Sequence, residues 1–224
     1  MPFATLDGLF IAGINDARIG SDVTVHAIQE SLSKHGIVLL SSHGYFDSGD
    51  AWKSSIMTSD GSIKISELLL NQLKIHADLV VLGVCEGGRS NISYSDEPIG
   101  FPGILIKAGV PAIVAPMWMV DDFATHLFLS MFFQFVLKGI HPGSALHKAS
   151  SWLRELKASE VLDIIASLEL KLDNQINIAT ATDVKHLKYR LSEIKLALQK
   201  EPVSSRPFMP SFYWAAFQIS GYIP

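Results

Sequence analysis

The chain has 224 residues, 48% hydrophobic and 18% charged, with a formal net charge of −4. This composition excludes a disordered segment, and the acidic balance excludes bulk attraction to nucleic acid or anionic lipid. One cysteine cannot close an internal disulfide, so a reducing, cytoplasmic setting is expected; the start Met1-Pro2-Phe3-Ala4-Thr5 lacks the charged region of a secretory signal. No membrane span is expected either. The most apolar stretch, Gly103 to Val120, is interrupted by Lys107, Gly109, Pro111 and Pro116, and reads as a buried helix, a turn and a buried strand.

In chain order, Ser21 and Asp22 are placed to cap a helix with the apolar stripe Val25, Ile28 and Leu32, closed by Gly36. The apolar run Ile37-Val38-Leu39-Leu40-Ser41-Ser42 follows as a strand and ends in His43-Gly44. Ile56-Met57-Thr58 and Ile63-Lys64-Ile65 flank Ser59-Asp60-Gly61-Ser62, a hairpin signal because Asp-Gly accommodates positive φ. Ser66 can cap a short helix through Leu73. A second apolar strand, Leu79 to Val84, ends at Cys85 and is followed at once by Glu86-Gly87-Gly88. The polar, glycine-flecked segment Glu86 to Gly100 reads as a mobile loop.

Pro102 to Ala108 reads as a short helix closed by Gly109, and Pro111 to Ala115 as a third buried strand. The next helix carries Leu127, Phe128, Met131, Phe132 and Phe135 and stops at Gly139; another begins near Pro142. Such alternation implies a mostly parallel α/β sheet with helices on both faces. From about Ser151 to Ser205 leucines and isoleucines recur every three or four residues, the pattern of an inserted antiparallel helical hairpin. It reads as structural cover or an oligomer contact, or more sharply as a docking surface for a regulator. Pro210 to Gly221 returns to core texture as a last strand.

Two strands that each end in a chemically active side chain next to glycine form a specific arrangement. If they are neighbours in a parallel sheet, His43 and Cys85 face the same C-terminal edge, where open α/β sheets bind their ligands. A lone cysteine ending a strand is usually packing, but His43-Gly44 beside it points to a nucleophilic enzyme. His26, His35, His76, His126, His141, His147 and His186 share no motif and give no zinc-ligand spacing. Glu86-Gly87-Gly88 lacks the lysine of a phosphate-binding loop.

The His43-Gly44 and Cys85-Glu86-Gly87-Gly88 elements are joined in order by Trp118-x-Val120-x-Asp122, by Gly139 with Ala145, Leu146 and Ala149, and by Pro210-x-x-Tyr213-Trp214-Ala215-Ala216-Phe217. Together, over Ile37 to Gly221, they resemble a CHAT domain, a caspase-like cysteine peptidase family related to separase. The resemblance implies a single CHAT-like domain over residues 1–224, with the 151–205 hairpin inserted and an abbreviated N-terminal part after Pro2-Phe3. It also implies Cys85 as nucleophile, His43 as its partner acting mainly on the leaving amine, and the backbone N–H groups of Gly44 and Cys85 as the oxyanion hole.

No metal or organic cofactor is implied. In separase-like relatives an acidic pocket near the tryptophan motif accepts a basic side chain. Here Met119 stands at an acidic position, while Asp121 and Asp122 either line that pocket or cap the helix from Phe123. The resulting expectation is a cytoplasmic cysteine endopeptidase acting on a protein substrate, regulated by a protein partner or a separate helical-repeat sensor. A non-catalytic scaffold on the same fold, or a cysteine acyltransferase or amidase, are the alternatives.

Overall fold

A computed structural model describes residues 2–11, 16–45, 47, 50–64, 66–67, 74–84, 90–91, 99–174 and 181–221. Cys85, most of the 86–100 segment and most of the expected 66–73 helix lie outside the described residues. In chain order the helices are α1 Pro2–Phe10, α2 Val25–Lys34, α3 Phe101–Lys107, α4 Asp122–Leu137, α5 Pro142–Glu155, α6 Ala158–Asn174, α7 Ala181–Leu198 and α8 Ser211–Trp214. The strands are β1 Ile37–Ser42, β2 Gly44–Tyr45, β3 Ser55–Thr58, β4 Gly61–Lys64, β5 Leu79–Val84, β6 Ser90–Asn91, β7 Ile99–Gly100, β8 Ala112–Pro116 and β9 Phe217–Gly221. They group into two compact units, one of residues 20–120 and 216–224, the other of residues 1–19 and 121–215.

The first unit is built on a four-stranded sheet of order β1-β5-β8-β9. β1, β5 and β8 run parallel, and β9 returns antiparallel to β8. This is the mostly parallel α/β sheet expected from the sequence. Leu79, Val80, Val81 and Leu82 are all buried, as a strand covered on both faces requires. Ile28 and Leu32 of α2, with Phe101, Ile104 and Leu105 of α3, join Val38, Val80, Leu82, Ile113 and Ala115 in one apolar core. Gly221 has φ +91°, and a Cβ built there would lie 2.1 Å from the Pro111 carbonyl oxygen, so glycine lets β9 close on β8.

A second, three-stranded antiparallel sheet of order β2-β3-β4 belongs to the same unit. Its Ser59-Asp60 turn is tied to the start of α2: the Asp60 carboxylate accepts from Val25 N–H at 3.0 Å and from Thr58 Oγ1 at 2.8 Å. These bonds hold its pKa below the ordinary carboxylate value. The helix cap itself is Thr24, whose Oγ1 accepts from Ala27 N–H. Ser21 and Asp22, expected as caps, lie in a preceding 3₁₀ turn.

The second unit is helical. α4 is buried almost around its circumference, with Phe123, Phe128 and Phe132 fully buried along it and the Phe3 ring of α1 5.2 Å from that of Phe123. Each fully buried phenylalanine contributes about 2–3 kcal/mol, so this helix is the unit's organising element. α5 presents Ala145, Ala149 and Leu153 as its buried stripe, and the two alanines let it pack closely against α4. α6 and α7 form the expected antiparallel hairpin, crosslinked by Lys195–Glu169 at 2.9 Å and by Lys188–Asp173.

The hairpin is shorter than the 151–205 span. Residues 151–155 finish α5, and Leu156 closes that helix rather than continuing the repeat. Its base is sealed where Ala158 N–H donates to the Ser205 carbonyl and Ser159 N–H to the Val203 carbonyl, satisfying the first donors of α6. α7 also packs against α1. The last segment is divided too: Ser211–Trp214 is a helical turn, and the strand begins only at Phe217.

Candidate active site

β1 and β5 pair in parallel from Ile37↔Leu79 to a last rung at Ser42↔Val84. His43 follows that rung and is exposed. Cys85 follows Val84 in the sequence and lies outside the described residues. His43 is the single residue between β1 and β2, the point where the chain leaves the parallel sheet for the antiparallel one. Met57 anchors this crossing twice. Its N–H donates to the His43 carbonyl at 2.9 Å, and its carbonyl accepts from Ser42 Oγ at 2.7 Å.

That anchoring orients Gly44. Antiparallel ladders alternate hydrogen-bonded and non-hydrogen-bonded rungs. With the His43–Met57 bond in place, Gly44↔Ile56 is a non-hydrogen-bonded rung, so Gly44 N–H points away from β3. Among the described residues β2 is one of the two outer strands of this sheet. Gly44 N–H therefore projects off the sheet edge, one residue from His43.

β8 ends at Pro116, and Met117 N–H donates to the Ala216 carbonyl at 2.9 Å, continuing the pairing past the strand end. Met119, two residues on, is 61% exposed. Asp121 is the N-cap of α4: its Oδ1 accepts from Phe123 and Ala124 N–H groups, both at 3.0 Å. Asp122 is the first residue of that helix and is half-buried. Capping engages Asp121 whether or not a substrate is present.

Among the described residues no cluster of histidine, cysteine, aspartate and glutamate could hold a metal ion, and no helix is long and apolar enough to cross a membrane. One polar pair escaped the sequence reading. Asp7 of α1 and His126 of α4 are both nearly fully buried, with Oδ1 and Nδ1 2.7 Å apart. Neither residue belongs to a motif, and they are 119 positions apart in the chain.

The CHAT domain family model matches residues 4–222. The chain belongs to the CHAT family. No curated protein matches it. The match includes the N-terminal segment, which in this CHAT domain is the helix α1. The α/β architecture agrees with a caspase-like fold, and the family is related to cysteine peptidases.

Proposed function

We propose that this CHAT domain is a cysteine endopeptidase with Cys85 as nucleophile and His43 as its acid–base partner. One observation supports the reading: two neighbouring parallel strands end on the paired Ser42↔Val84 rung, and His43 and Cys85 are the residues that follow that rung in the sequence. A free thiol titrates near ~8.5, so the attacking thiolate needs a nearby imidazole. Attack on the scissile carbonyl forms a tetrahedral oxyanion, held by the N–H groups of Gly44 and Cys85. Collapse breaks the C–N bond as His43 delivers a proton to the leaving amine. Water then hydrolyses the thioester and regenerates the thiol. Nucleophile, acid and oxyanion donors come from the chain, so the scheme calls for no metal or organic cofactor.

The setting we propose is cytoplasmic, with a protein substrate and a regulatory protein partner. The segment after Cys85 holds Arg89, Asn91, Ser93, Ser95, Asp96 and Glu97, a polar sequence next to the proposed nucleophile. A partner docking on the α6–α7 hairpin would favour the active state of the domain and raise a low basal turnover. The test is alkylation of the purified chain by a thiol-directed peptide ketone, together with cleavage of a proteome-derived peptide mixture. Labelling and cleavage that both vanish in Cys85→Ala, with labelling slowed in His43→Ala, support a peptidase. Alkylation indifferent to His43→Ala, with no cleavage, would instead favour the scaffold.

A further inference from the structure

Beside His43 the antiparallel sheet carries two large exposed side chains, Tyr45 at 57% and Met57 at 53%. Tyr45 pairs with Ser55, and Ser55 and Met57 lie two residues apart on β3, so Tyr45 and Met57 share one face of the sheet. Ile56 and Ile63 are buried on the opposite face. Met57 stands opposite His43 through the 2.9 Å bond from its N–H to the His43 carbonyl, and Tyr45 is two residues beyond His43. The exposed face of this small sheet thus puts an aromatic ring and a thioether around the histidine. Lone exposed apolar residues are ordinary, but two that share a face at a candidate catalytic group form a surface with a task.

From this juxtaposition we infer that Tyr45 and Met57 form an apolar subsite for the leaving side of the substrate, selecting a hydrophobic side chain in the first residues after the scissile bond. The inference rests on the peptidase reading. The histidine protonates the leaving amine, so whatever flanks it meets the residues attached to that amine. Tyr45 and Met57 offer no charge, and an aliphatic or aromatic side chain is the complement their chemistry favours. Thioether–aromatic contact suits an aromatic ring especially well. Both residues are exposed, so substituting them leaves the core intact.

The experiment digests a proteome-derived peptide mixture with the full chain at stoichiometric enzyme and reads the residues on both sides of each cut by mass spectrometry. Enrichment of Leu, Met, Phe or Tyr within two residues after the cut is expected. It should fall about tenfold in Met57→Glu, with a gain of Lys and Arg there, and fall similarly in Tyr45→Ser. The preference before the cut should stay unchanged in both variants, which a merely structural role for these residues would not produce. Cleavage without that enrichment, or with enrichment indifferent to both substitutions, overturns the subsite and leaves the peptidase standing. Absence of any Cys85-dependent cleavage overturns the peptidase reading and the subsite with it.

Discussion

Ser42 and Val84 face each other on the last rung of the β1–β5 ladder, and His43 and Cys85 are the residues that follow them in the sequence. Cys85→Ala and His43→Ala should each lower kcat by at least about a thousandfold, because residues acting as one unit are non-additive. His43 is exposed, so its replacement should leave the melting temperature unchanged. Peptide turnover beside a thermal melt checks both statements.

Gly44→Pro isolates the proposed oxyanion donor. Proline removes the N–H, yet this N–H points off the outer strand and takes no part in the β2–β3 ladder, a position where edge strands tolerate proline. We expect a retained fold, kcat lower by about 10²–10³ and a much smaller change in KM. Steady-state kinetics on one peptide substrate distinguish this from a general loss of binding.

Asp121→Ala should cost about 1 kcal/mol by removing the cap from α4. If capping is its whole task, the ratio of kcat/KM for peptides with Arg and with Leu before the scissile bond stays constant. A selective loss of the arginine substrate would put Asp121 in the pocket.

Breaking the buried Asp7–His126 pair removes a 2.7 Å contact from the interior of the helical unit. His126→Ala should destabilise the protein by about 3 kcal/mol, and Asp7→Asn, which keeps a hydrogen-bonding oxygen, by less. Denaturant titration followed by far-UV circular dichroism measures both.

Asp60 supplies the pH prediction. Its folded-state pKa lies below the ordinary value of 3.8, lowered first by the Val25 N–H bond and next by the Thr58 hydroxyl. The carboxylate therefore contributes stability above the unfolded-state pKa, and that contribution is lost as pH falls through the folded one. Asp60→Asn should flatten the acid limb of the stability curve below about pH 4 and leave its slope near neutrality unchanged. Denaturant midpoints across an acid series read this out.

Local pattern determined much of this protein. The runs 37–42 and 79–84 are strands because short continuous apolar segments suit a parallel sheet, and in the sequence they are followed by the candidate residues His43 and Cys85. Asp60-Gly61 announced its hairpin, and Gly139, with φ +76°, stopped α4 where a left-handed residue is tolerated. Contacts distant in sequence decided the rest. Thr24, not Ser21 or Asp22, caps α2 because the turn before it is held by Ser59, whose hydroxyl donates to the Ser21 carbonyl at 2.7 Å. The leucine spacing runs unbroken through Leu153 and Leu156, but the chain breaks there because the Ser205 and Val203 carbonyls supply partners for a new helix start. The same holds for the site. Residue types after two apolar runs suggest a dyad, whereas the direction of Gly44 N–H depends on which ladder rung Met57 occupies. Periodicity records which face of an element is buried; hydrogen-bond register and polar pairing form between segments far apart in the chain, and only the folded backbone brings them together.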